Sequence, residues 1–335
     1  MTIRIGINGF GRIGKAVTRI LHKRNGIDLV AINDLTDPGP MAHGLKYDSV
    51  YRQFDGEVSI EGNHLIVGDQ RVRLTSEKDP ASIDWKAVNV DYVIEATGVF
   101  RKREPLERHL TAGARKVLLC VPAKEPVDAT VVLGVNDHIL TGQEKIISNA
   151  SCTTNAAAPV VNIVNQTASI IRGYVNTIHA YTNDQHLIDF PHSDWRRSRA
   201  AALSIIPTTT GAAKAVGKVI PELDGRLDGM AYRVPTPTGS IVDMVFHVDR
   251  DVTVDEINNA VKQAANGALK GILQYTEDPI VSSDIIGNPH SSIFDAQLTQ
   301  VIGGQMVKVS SWYDNEWGYS ARMVDLIEKV ASLES

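Results

Sequence analysis

Cysteine is scarce in this sequence. Only two cysteines occur in 335 residues, so disulfides cannot form the framework of the fold, and a reducing compartment fits this composition. Long apolar runs are also missing. No stretch of about 18 uncharged apolar residues occurs, which argues against a membrane-spanning helix, and the chain opens on a strand-like segment rather than on a signal peptide. We therefore expect a soluble, cytoplasmic protein.

An excess of positive charge is absent too. The formal net charge is -5 at pH 7, which argues against a nucleic acid or an anionic membrane as the main partner. We expect a small-molecule substrate and no metal ion. With 43% hydrophobic and 22% charged residues, the composition is that of a globular protein, and domains of roughly 100 to 200 residues predict two of them.

The first 35 residues contain a glycine motif in a specific setting. Alternating isoleucines predict a strand at residues 3–7, the pattern GxGxxG follows at 9–14, and residues 15–21 have the apolar spacing of a helix. A second strand-like run, residues 29–33, ends at Asp34. A glycine motif alone could be a plain turn. Between a strand and a helix, with an acidic residue ending the next strand, it indicates a dinucleotide-binding site.

Four residues of this motif have predicted roles. Gly9 permits the tight turn, Gly11 lets a pyrophosphate approach the backbone at the helix N-terminus, and Gly14 lets the helix pack closely. Asp34 would accept hydrogen bonds from the adenine ribose hydroxyls and repel a 2′-phosphate. We therefore predict NAD rather than NADP as the cofactor.

Strand-like and helical patterns keep alternating up to residue 150. Strand-like runs lie at residues 91–96, 116–120 and 131–135, and residues 103–112 look helical. This alternation predicts a mostly parallel sheet with helices on both faces. Thr97 follows the first run, where a cofactor could pass. Cys120 ends the second run, and we interpret it as a packing or cofactor-proximal residue rather than a nucleophile.

The pattern changes in the second half of the chain. Residues 240–248 alternate with period two, which predicts a sheet with one covered face, and helices are predicted at 255–273 and 320–333. The predicted fold class is α/β, a doubly wound, mostly parallel Rossmann sheet with a second α+β domain on a mixed or antiparallel sheet. We assign residues 1–151 to the NAD-binding domain, to which a C-terminal helix at 315–335 returns, and residues 152–314 to the catalytic domain.

Cys152 is the best candidate nucleophile. It lies where a strand-like approach ends and an alanine-rich, helix-prone segment begins. Unpaired N–H groups and the positive end of the helix dipole favour a thiolate there, so we expect a lowered thiol pKa. An inert buried cysteine is the alternative. The polar neighbours Ser151 and 153–155 favour the reactive interpretation, since an inert core position needs no such groups.

A base for this thiol is harder to identify. His179 follows a strand-like run and precedes a polar segment, residues 181–185. Spacing alone cannot pair it with Cys152, and a structural histidine is the simpler interpretation. His43, His192 and His290 remain rivals.

Several long motifs occur together in one order along the chain. The longest is Ser-Asn-Ala-Ser-Cys-Thr-Thr-Asn at residues 148–155, and the others lie at 7–14, 32–37, 179–185, 204–214 and 312–320. With these motifs the chain resembles the phosphorylating glyceraldehyde-3-phosphate dehydrogenases. The resemblance extends over essentially the whole chain, including the second half, which a shared cofactor domain alone would not explain.

The resemblance implies a mechanism and a homotetramer. Cys152 attacks the substrate aldehyde to give a thiohemiacetal, with His179 as the base, and the Cys152 backbone N–H and His179 stabilise the oxyanion. Oxidation with NAD leaves a thioester, which inorganic phosphate attacks. In the family, the loop at residues 180–201, which here carries the large apolar Phe190 and Trp195, packs against a neighbouring subunit.

The resemblance also implies anion sites and further cofactor contacts. Thr182 and Arg233 would hold the substrate phosphate, and Arg197 would reach between the two anion sites. The attacking phosphate would be held by Ser151, Thr153, Thr210 and Gly211. The cofactor would meet Asn315 at the nicotinamide carboxamide, and Arg12, Ile13, Thr97 and Cys120 along its path.

A few positions depart from the family pattern. Cys120 stands where serine is common, Phe190 where leucine is usual, Thr238-Gly239 where many members have Asn-Val, and alanines at 156–158 where a second cysteine often lies. None of these departures removes a catalytic group.

Two other functions stay open. Erythrose-4-phosphate dehydrogenases share the active-site motif, but they tend to lose the Tyr-Thr pair after the histidine, which is present here as Tyr181 and Thr182. A dinucleotide-binding redox sensor would instead have Cys152 oxidised rather than turned over, and the full pair of phosphate sites argues against it.

Overall fold

The structure is a computed structural model that describes residues 2–334. Met1 and Ser335, the outermost residues of the predicted domain ranges, lie outside this description. The chain divides into two compact units. The first contains the residues up to Val131, Asp137–Ala150 and the residues from Ser320 onward, and the second contains Val132–Asn136 and Ser151–Tyr319.

The first unit is built on a nine-stranded sheet, in the spatial order β10-β11-β9-β8-β1-β2-β7-β6-β5. Pairing is parallel from β10 to β7, and only β6 and β5 join antiparallel at one edge. The strands of this unit are β1 Ile3–Asn8, β2 Ile27–Asn33, β3 Tyr47–Asp48, β4 Arg52–Gln53, β5 Val58–Glu61, β6 His64–Val67, β7 Gln70–Thr75, β8 Tyr92–Glu95, β9 Lys116–Leu119, β10 Ala129–Thr130 and β11 Ile146–Ser148. Its first helices are α1 Arg12–Leu21, α2 Pro38–Lys46 and α3 Arg103–Thr111.

The centre of this sheet explains where a ligand would bind. Strands β8, β9 and β11 are fully buried, as strands covered by helices on both faces must be. Strand β1 pairs with β2 on one side and with β8 on the other, so the strand order reverses there. Ligands of doubly wound sheets bind beyond the carboxyl ends of the strands at such a point.

The second unit is built on a mixed sheet, in the order β13-β14-β12-β15-β19-β17-β16, with β18 paired to β19. Its strands are β12 Ile170–Ala180, β13 Ile206–Thr209, β14 Leu227–Val234, β15 Ser240–Val248, β16 Leu273–Thr276, β17 Ser292–Asp295, β18 Gln300–Ile302 and β19 Met306–Tyr313, and its helices are α4 Cys152–Ala168, α5 Ala212–Val219 and α6 Val254–Asn266. The last helix, α7 Trp317–Ser332, belongs to the first unit from Ser320 onward.

The predicted fold class is confirmed. The first sheet is mostly parallel, whereas the second combines the parallel pairs β12 with β14 and β16 with β17 with antiparallel neighbours. Residues along β15 alternate between buried and half-buried, as the period-two pattern predicts. Among residues 2–334, none of the helices has the length and hydropathy that a membrane span requires.

Two predicted elements are wrong in their extent. No strand lies at 131–135, because β10 ends at Thr130. The valine-rich run turns instead, with Gly134 at a φ of +79° and the Asn136 side chain accepting the Val132 N–H at 2.8 Å. The helix predicted at 255–273 ends at Asn266, because Gly267 forms its C-terminal cap and the chain turns before β16.

Candidate active site

Cys152 is the first residue of helix α4. The preceding Ser151 has extended backbone angles, and its side chain accepts the backbone N–H of Thr154 at 3.0 Å. A serine in this position satisfies one of the unpaired donors of the first turn. The expectation that Cys152 lies at a helix start is therefore confirmed.

The thiol meets a histidine from the neighbouring strand. The Cys152 sulfur lies 3.6 Å from Nε2 of His179, which is the penultimate residue of β12. His179 Nδ1 lies 2.6 Å from the Ala180 carbonyl oxygen. A carbonyl only accepts, so this short contact places the proton on Nδ1. The Nε2 lone pair then points at the sulfur and can accept its proton.

Burial sets the protonation of this pair. It raises the pKa of the Cys152 thiol, while Arg233 and hydrogen bonds from Thr153 and the backbone lower it by less. The expected lowering of this pKa at the helix terminus is therefore wrong. Burial also lowers the pKa of His179 to about 3, and Arg233 adds to that shift. The resting pair is a neutral thiol and a neutral imidazole.

The positively charged guanidinium of Arg233 lies beside Cys152 and His179. Its Nη1 lies 3.0 Å from His179 Nδ1, 3.1 Å from the Ala180 carbonyl oxygen and 3.4 Å from Thr182 Oγ1. Its Nε is buried and donates to no group within residues 2–334. A buried guanidinium donor without an acceptor suits an anion. The structure thus brings Thr182 and Arg233, the predicted holders of the substrate phosphate, next to the thiol and imidazole.

The other predicted phosphate residues have partners within the chain. Arg197 forms an ion pair with Asp184 and donates from Nε to Thr208 Oγ1 at 2.9 Å. Its charge nevertheless lowers the pKa values of both His179 and Arg233, so the guanidinium acts on the same site.

Thr210 and Gly211 lie at the start of α5. Thr210 Oγ1 accepts the Ala212 N–H at 3.2 Å, and Gly211 is the N-terminal cap. A Cβ built on Gly211 would meet no atom within 4 Å, so the backbone of this cap is open to a ligand.

Tyr313, on β19, lies beside Cys152 and His179. The sequence analysis did not identify it as a site residue. Its buried hydroxyl lies 2.9 Å from Thr153 Oγ1 and 2.9 Å from Thr177 Oγ1, and its ring packs edge-on against His179. Burial raises the pKa of this hydroxyl, which keeps it a neutral donor. Tyr313 thus fixes Thr153, the residue after Cys152.

The glycine motif borders a cleft of about 520 Å³ in the first unit, lined by Gly9, Gly11, Asp34 and Thr97 among others. Gly9 has a φ of +94°, and a Cβ on it would lie 2.6 Å from the Thr97 backbone nitrogen. A Cβ on Gly14 would lie 2.4 Å from the Gly9 carbonyl oxygen, whereas nothing lies within 4 Å of one on Gly11. These residues fit a dinucleotide, since the backbone is tight at two glycines and open at Gly11, where α1 begins.

Asp34 lies at the edge of the same cleft. Its carboxylate accepts the Phe10 N–H at 2.6 Å and the Thr36 N–H at 2.8 Å. Burial alone would raise its pKa, but these backbone donors, together with the Thr36 side chain and the Lys15 charge, hold the pKa below its ordinary value. Asp34 is therefore ionised at neutral pH, and it holds the glycine turn while lining the cleft.

The remaining predicted cofactor residues of the first unit, Arg12, Ile13 and Cys120, do not line this cleft. Arg12 forms an ion pair with Asp48 and lies over the Tyr51 ring, and Ile13 is half-buried in α1. Cys120 is buried after β9, and burial raises the pKa of its thiol, so its packing role fits the structure better than chemistry of its own.

Thr97 is held by a buried carboxylate that sequence reasoning also missed. The fully buried Glu95 accepts the Thr97 N–H at 2.9 Å and the Asn8 Nδ2–H at 2.6 Å. His109 donates to Glu95 at 3.1 Å, because its other ring nitrogen accepts the indole N–H of Trp85. A buried polar network thus supports the floor of the cleft.

Asn315 lies in the second unit and is almost fully buried. Its Oδ1 accepts the Ser240 hydroxyl at 2.9 Å. The preceding Asp314 caps the start of α7, accepting the Glu316 and Trp317 N–H groups at 3.0 and 2.8 Å. Asn315 is thereby fixed in both backbone and side chain.

Comparison with known proteins extends over both units. Residues 3–103 match the family model described as glyceraldehyde 3-phosphate dehydrogenase, NAD binding domain, and residues 151–315 match that described as glyceraldehyde 3-phosphate dehydrogenase, C-terminal domain. The chain is 54% identical over 333 residues to a glyceraldehyde-3-phosphate dehydrogenase of Geobacillus stearothermophilus, with 99% of each chain covered. It is 52% identical over 332 residues to glyceraldehyde-3-phosphate dehydrogenase 1 of Bacillus subtilis, again with 99% of each covered. It is 53% identical over 329 residues to that of Streptomyces coelicolor, covering 97% of this chain and 98% of the relative.

Proposed function

The chain belongs to the glyceraldehyde-3-phosphate dehydrogenase family, and on that premise we propose that it oxidises D-glyceraldehyde 3-phosphate to 1,3-bisphosphoglycerate with NAD and inorganic phosphate, as in glycolysis. The observation that carries the proposal is the contact of 3.6 Å between the Cys152 sulfur and His179 Nε2 at the start of α4. A nucleophile with a base in reach, beside a buried guanidinium, suits acyl transfer on a phosphorylated aldehyde.

Cys152 and His179 are the proposed catalytic residues. As the sulfur attacks the aldehyde carbon, its proton passes to His179 Nε2, and the new S–C bond gives a thiohemiacetal. The Cys152 backbone N–H, at the open end of α4, and the imidazolium stabilise the oxygen. His179 then returns this proton to the oxygen, which gives the thiohemiacetal hydroxyl, and takes it back when a hydride leaves that carbon and the thioester forms. Phosphate oxygen attacks the thioester, and the Cys152 thiolate leaves.

The two phosphates have separate holders in this proposal. Thr182 and Arg233 bind the substrate phosphate, for which the buried Arg233 Nε is the free donor. Ser151, Thr153, Thr210 and Gly211 bind the attacking phosphate, and Arg197 reaches between the sites. Because phosphate neutralises the Arg233 charge that lowers the His179 pKa, substrate binding makes His179 a stronger base when the thiol must be deprotonated.

When bound, NAD would supply the hydride acceptor for oxidation of the thiohemiacetal carbon. Gly9, Gly11 and Gly14 leave room for its pyrophosphate at the start of α1, with Arg12, Ile13, Thr97 and Cys120 along its path. Asp34 binds the adenine ribose, and Asn315 holds the nicotinamide carboxamide. Residues 1–151 and the C-terminal helix 315–335 form the proposed NAD-binding domain, and residues 152–314 form the proposed catalytic domain.

We further propose a cytoplasmic homotetramer. The segment between β12 and β13 exposes large apolar side chains to an unusual degree: Leu187, Ile188, Phe190, Trp195, Leu203 and Ile205 are 58% to 87% exposed. Such a patch is costly in water and is typical of an interface. The same segment carries Arg197, so a subunit packed on it would also stiffen a phosphate ligand.

A substrate panel tests the reaction. Initial rates of NAD reduction are measured with glyceraldehyde 3-phosphate, erythrose 4-phosphate and unphosphorylated glyceraldehyde, each with and without inorganic phosphate. The proposal predicts the highest kcat/KM for glyceraldehyde 3-phosphate and a steady state that requires phosphate. A preference for erythrose 4-phosphate, or turnover in no condition together with oxidation of Cys152 by peroxide, would contradict it.

A further inference from the structure

Ser240 connects the histidine strand to the asparagine that is proposed to bind nicotinamide. It is the first residue of β15 and is 1% exposed. Its Oγ accepts the Ala180 backbone N–H at 3.1 Å and lies 2.9 Å from Asn315 Oδ1. Ala180 follows His179 directly, so one hydroxyl contacts both sides of the site within the second unit.

The hydrogen bond between Ala180 and Ser240 determines which groups donate and which accept in this series. A backbone N–H can only donate, so the Ser240 oxygen acts as acceptor toward Ala180, and the hydroxyl proton is left to donate to Asn315. The amide must therefore turn its oxygen toward Ser240. With the amide reversed, the Ser240 proton would have no acceptor in a buried position, which is costly.

A second hydroxyl lies beside the same amide. Thr238 Oγ1 lies 3.1 Å from Asp314 Oδ1 and 3.4 Å from Asn315 Oδ1. Its single proton can serve only one of these oxygens, so the orientation of the amide is determined by Ser240. Within residues 2–334, the Asn315 Nδ2 group donates to no described acceptor, so its two protons are available to a ligand.

We infer that Ser240 is a positioning residue that sets the orientation of the Asn315 amide, so that Asn315 presents a hydrogen-bond donor, and not an acceptor, to the nicotinamide carboxamide. This inference rests on the proposed role of Asn315 in cofactor binding. It identifies the carboxamide atom that Asn315 binds. The Nδ2 group donates to the carbonyl oxygen of the carboxamide and makes no hydrogen bond with its NH₂ group.

A cofactor analogue distinguishes the two orientations. In 3-acetylpyridine adenine dinucleotide a methyl group replaces the carboxamide NH₂, so the analogue keeps the acceptor and lacks the donor. Dissociation constants of NAD and of this analogue are measured by calorimetry for each variant. The readout is the ratio of the analogue's dissociation constant to that of NAD, which cancels general losses of affinity.

The expected ratios follow from the donor at Asn315. Asn315→Asp presents only acceptors and should raise the ratio at least about tenfold over wild type, because the acetyl oxygen then faces an oxygen. Ser240→Ala lets the amide reverse and should raise the ratio about two- to fivefold, since NAD can pair with either orientation and the analogue with one. Ser240→Thr retains the hydroxyl and should keep the wild-type ratio.

Matched variants make the result decisive. Ser310→Ala removes another fully buried hydroxyl of the same sheet, one bonded to Asp243 and Lys308, and should leave the ratio unchanged. If Ser240→Ala does not fold, Ser240→Cys keeps the volume with a weaker donor, and the ratio should rise about twofold. An unchanged ratio in Asn315→Asp, or in Ser240→Ala and Ser240→Cys, overturns the inference alone. A wild-type chain that binds neither dinucleotide overturns the proposed function as well.

Discussion

The Arg233 guanidinium lies 3.0 Å from Nδ1 of His179, so the residue proposed to bind the substrate phosphate also acts on the proposed base. The same charge lowers the pKa of the Cys152 thiol against the effect of burial. Substrate binding and thiol reactivity are thereby linked through one side chain.

Removal of this charge should make the thiol less reactive. In Arg233→Gln the pKa of Cys152 loses the contribution of the guanidinium and rises further above its ordinary value. At pH 8 each unit of rise lowers the thiolate fraction about tenfold, so alkylation by the neutral reagent iodoacetamide should slow about three- to tenfold. The rate is measured from pH 6 to 10, and its midpoint should move upward. Arg199→Gln, which removes an exposed guanidinium paired with Asp189, is the control. A midpoint that stays or falls in Arg233→Gln would contradict this account.

His179 should make the protein less stable in acid. Its pKa is about 3 when folded and about 6.5 when unfolded, so between these values the unfolded chain binds more protons and stability falls with falling pH. At pH 5 the loss should be about 2 kcal/mol relative to pH 7.5. His179→Asn cannot take up this proton, so its stability relative to wild type should rise by that amount on acidification. Urea unfolding at the two pH values measures the difference, and a difference independent of pH would show that His179 is not held neutral.

Asp34→Ala should relax the preference for NAD. The carboxylate repels a 2′-phosphate, and it also accepts the Phe10 and Thr36 N–H groups that hold the glycine turn. We expect the ratio of kcat/KM for NADP to that for NAD to rise, and the value for NAD itself to fall because the turn loosens. Steady-state kinetics with both cofactors test this. If the ratio is unchanged, cofactor choice lies elsewhere, and Phe190 is the first residue to examine.

Trp195→Glu should weaken assembly. Trp195 is 87% exposed in the single chain, and a charge at this position would be buried if the apolar segment meets another subunit. Light scattering at micromolar concentration should give a tetramer for wild type and smaller species for the variant, with reduced cofactor affinity. Lys214→Glu, on the exposed face of α5, is a control. A wild-type chain that is a fully active monomer would refute the proposed assembly.

The elements that could be predicted from the sequence are those determined by residues close together in the chain. The strand, glycine turn and helix at residues 3–21 are encoded within one short stretch, and so is the start of α4 at Cys152. Local patterns predict the ends of helices and strands poorly where a single glycine terminates the element. Gly267 ends α6 early, and Gly134 with its positive φ turns a valine-rich run away from the sheet.

Contacts between distant residues, and the pKa values that depend on them, could not be predicted from local patterns. Tyr313 and Thr153 are 160 positions apart, and neither lies in a pattern that points to the other. The thiol pKa was expected to fall because the helix terminus is visible in the sequence. It rises because burial is a property of the complete fold.

The central claim is that Cys152 carries the acyl group, and trapping that group tests it most directly. The protein is mixed with glyceraldehyde 3-phosphate and NAD without inorganic phosphate, quenched in acid, and examined by intact-protein and peptide mass spectrometry. We predict one 3-phosphoglyceroyl group per chain, bound to the peptide that contains Cys152, lost on addition of phosphate and absent in Cys152→Ser. Wild-type turnover in Cys152→Ser, or an acyl group bound to another residue, would contradict the account.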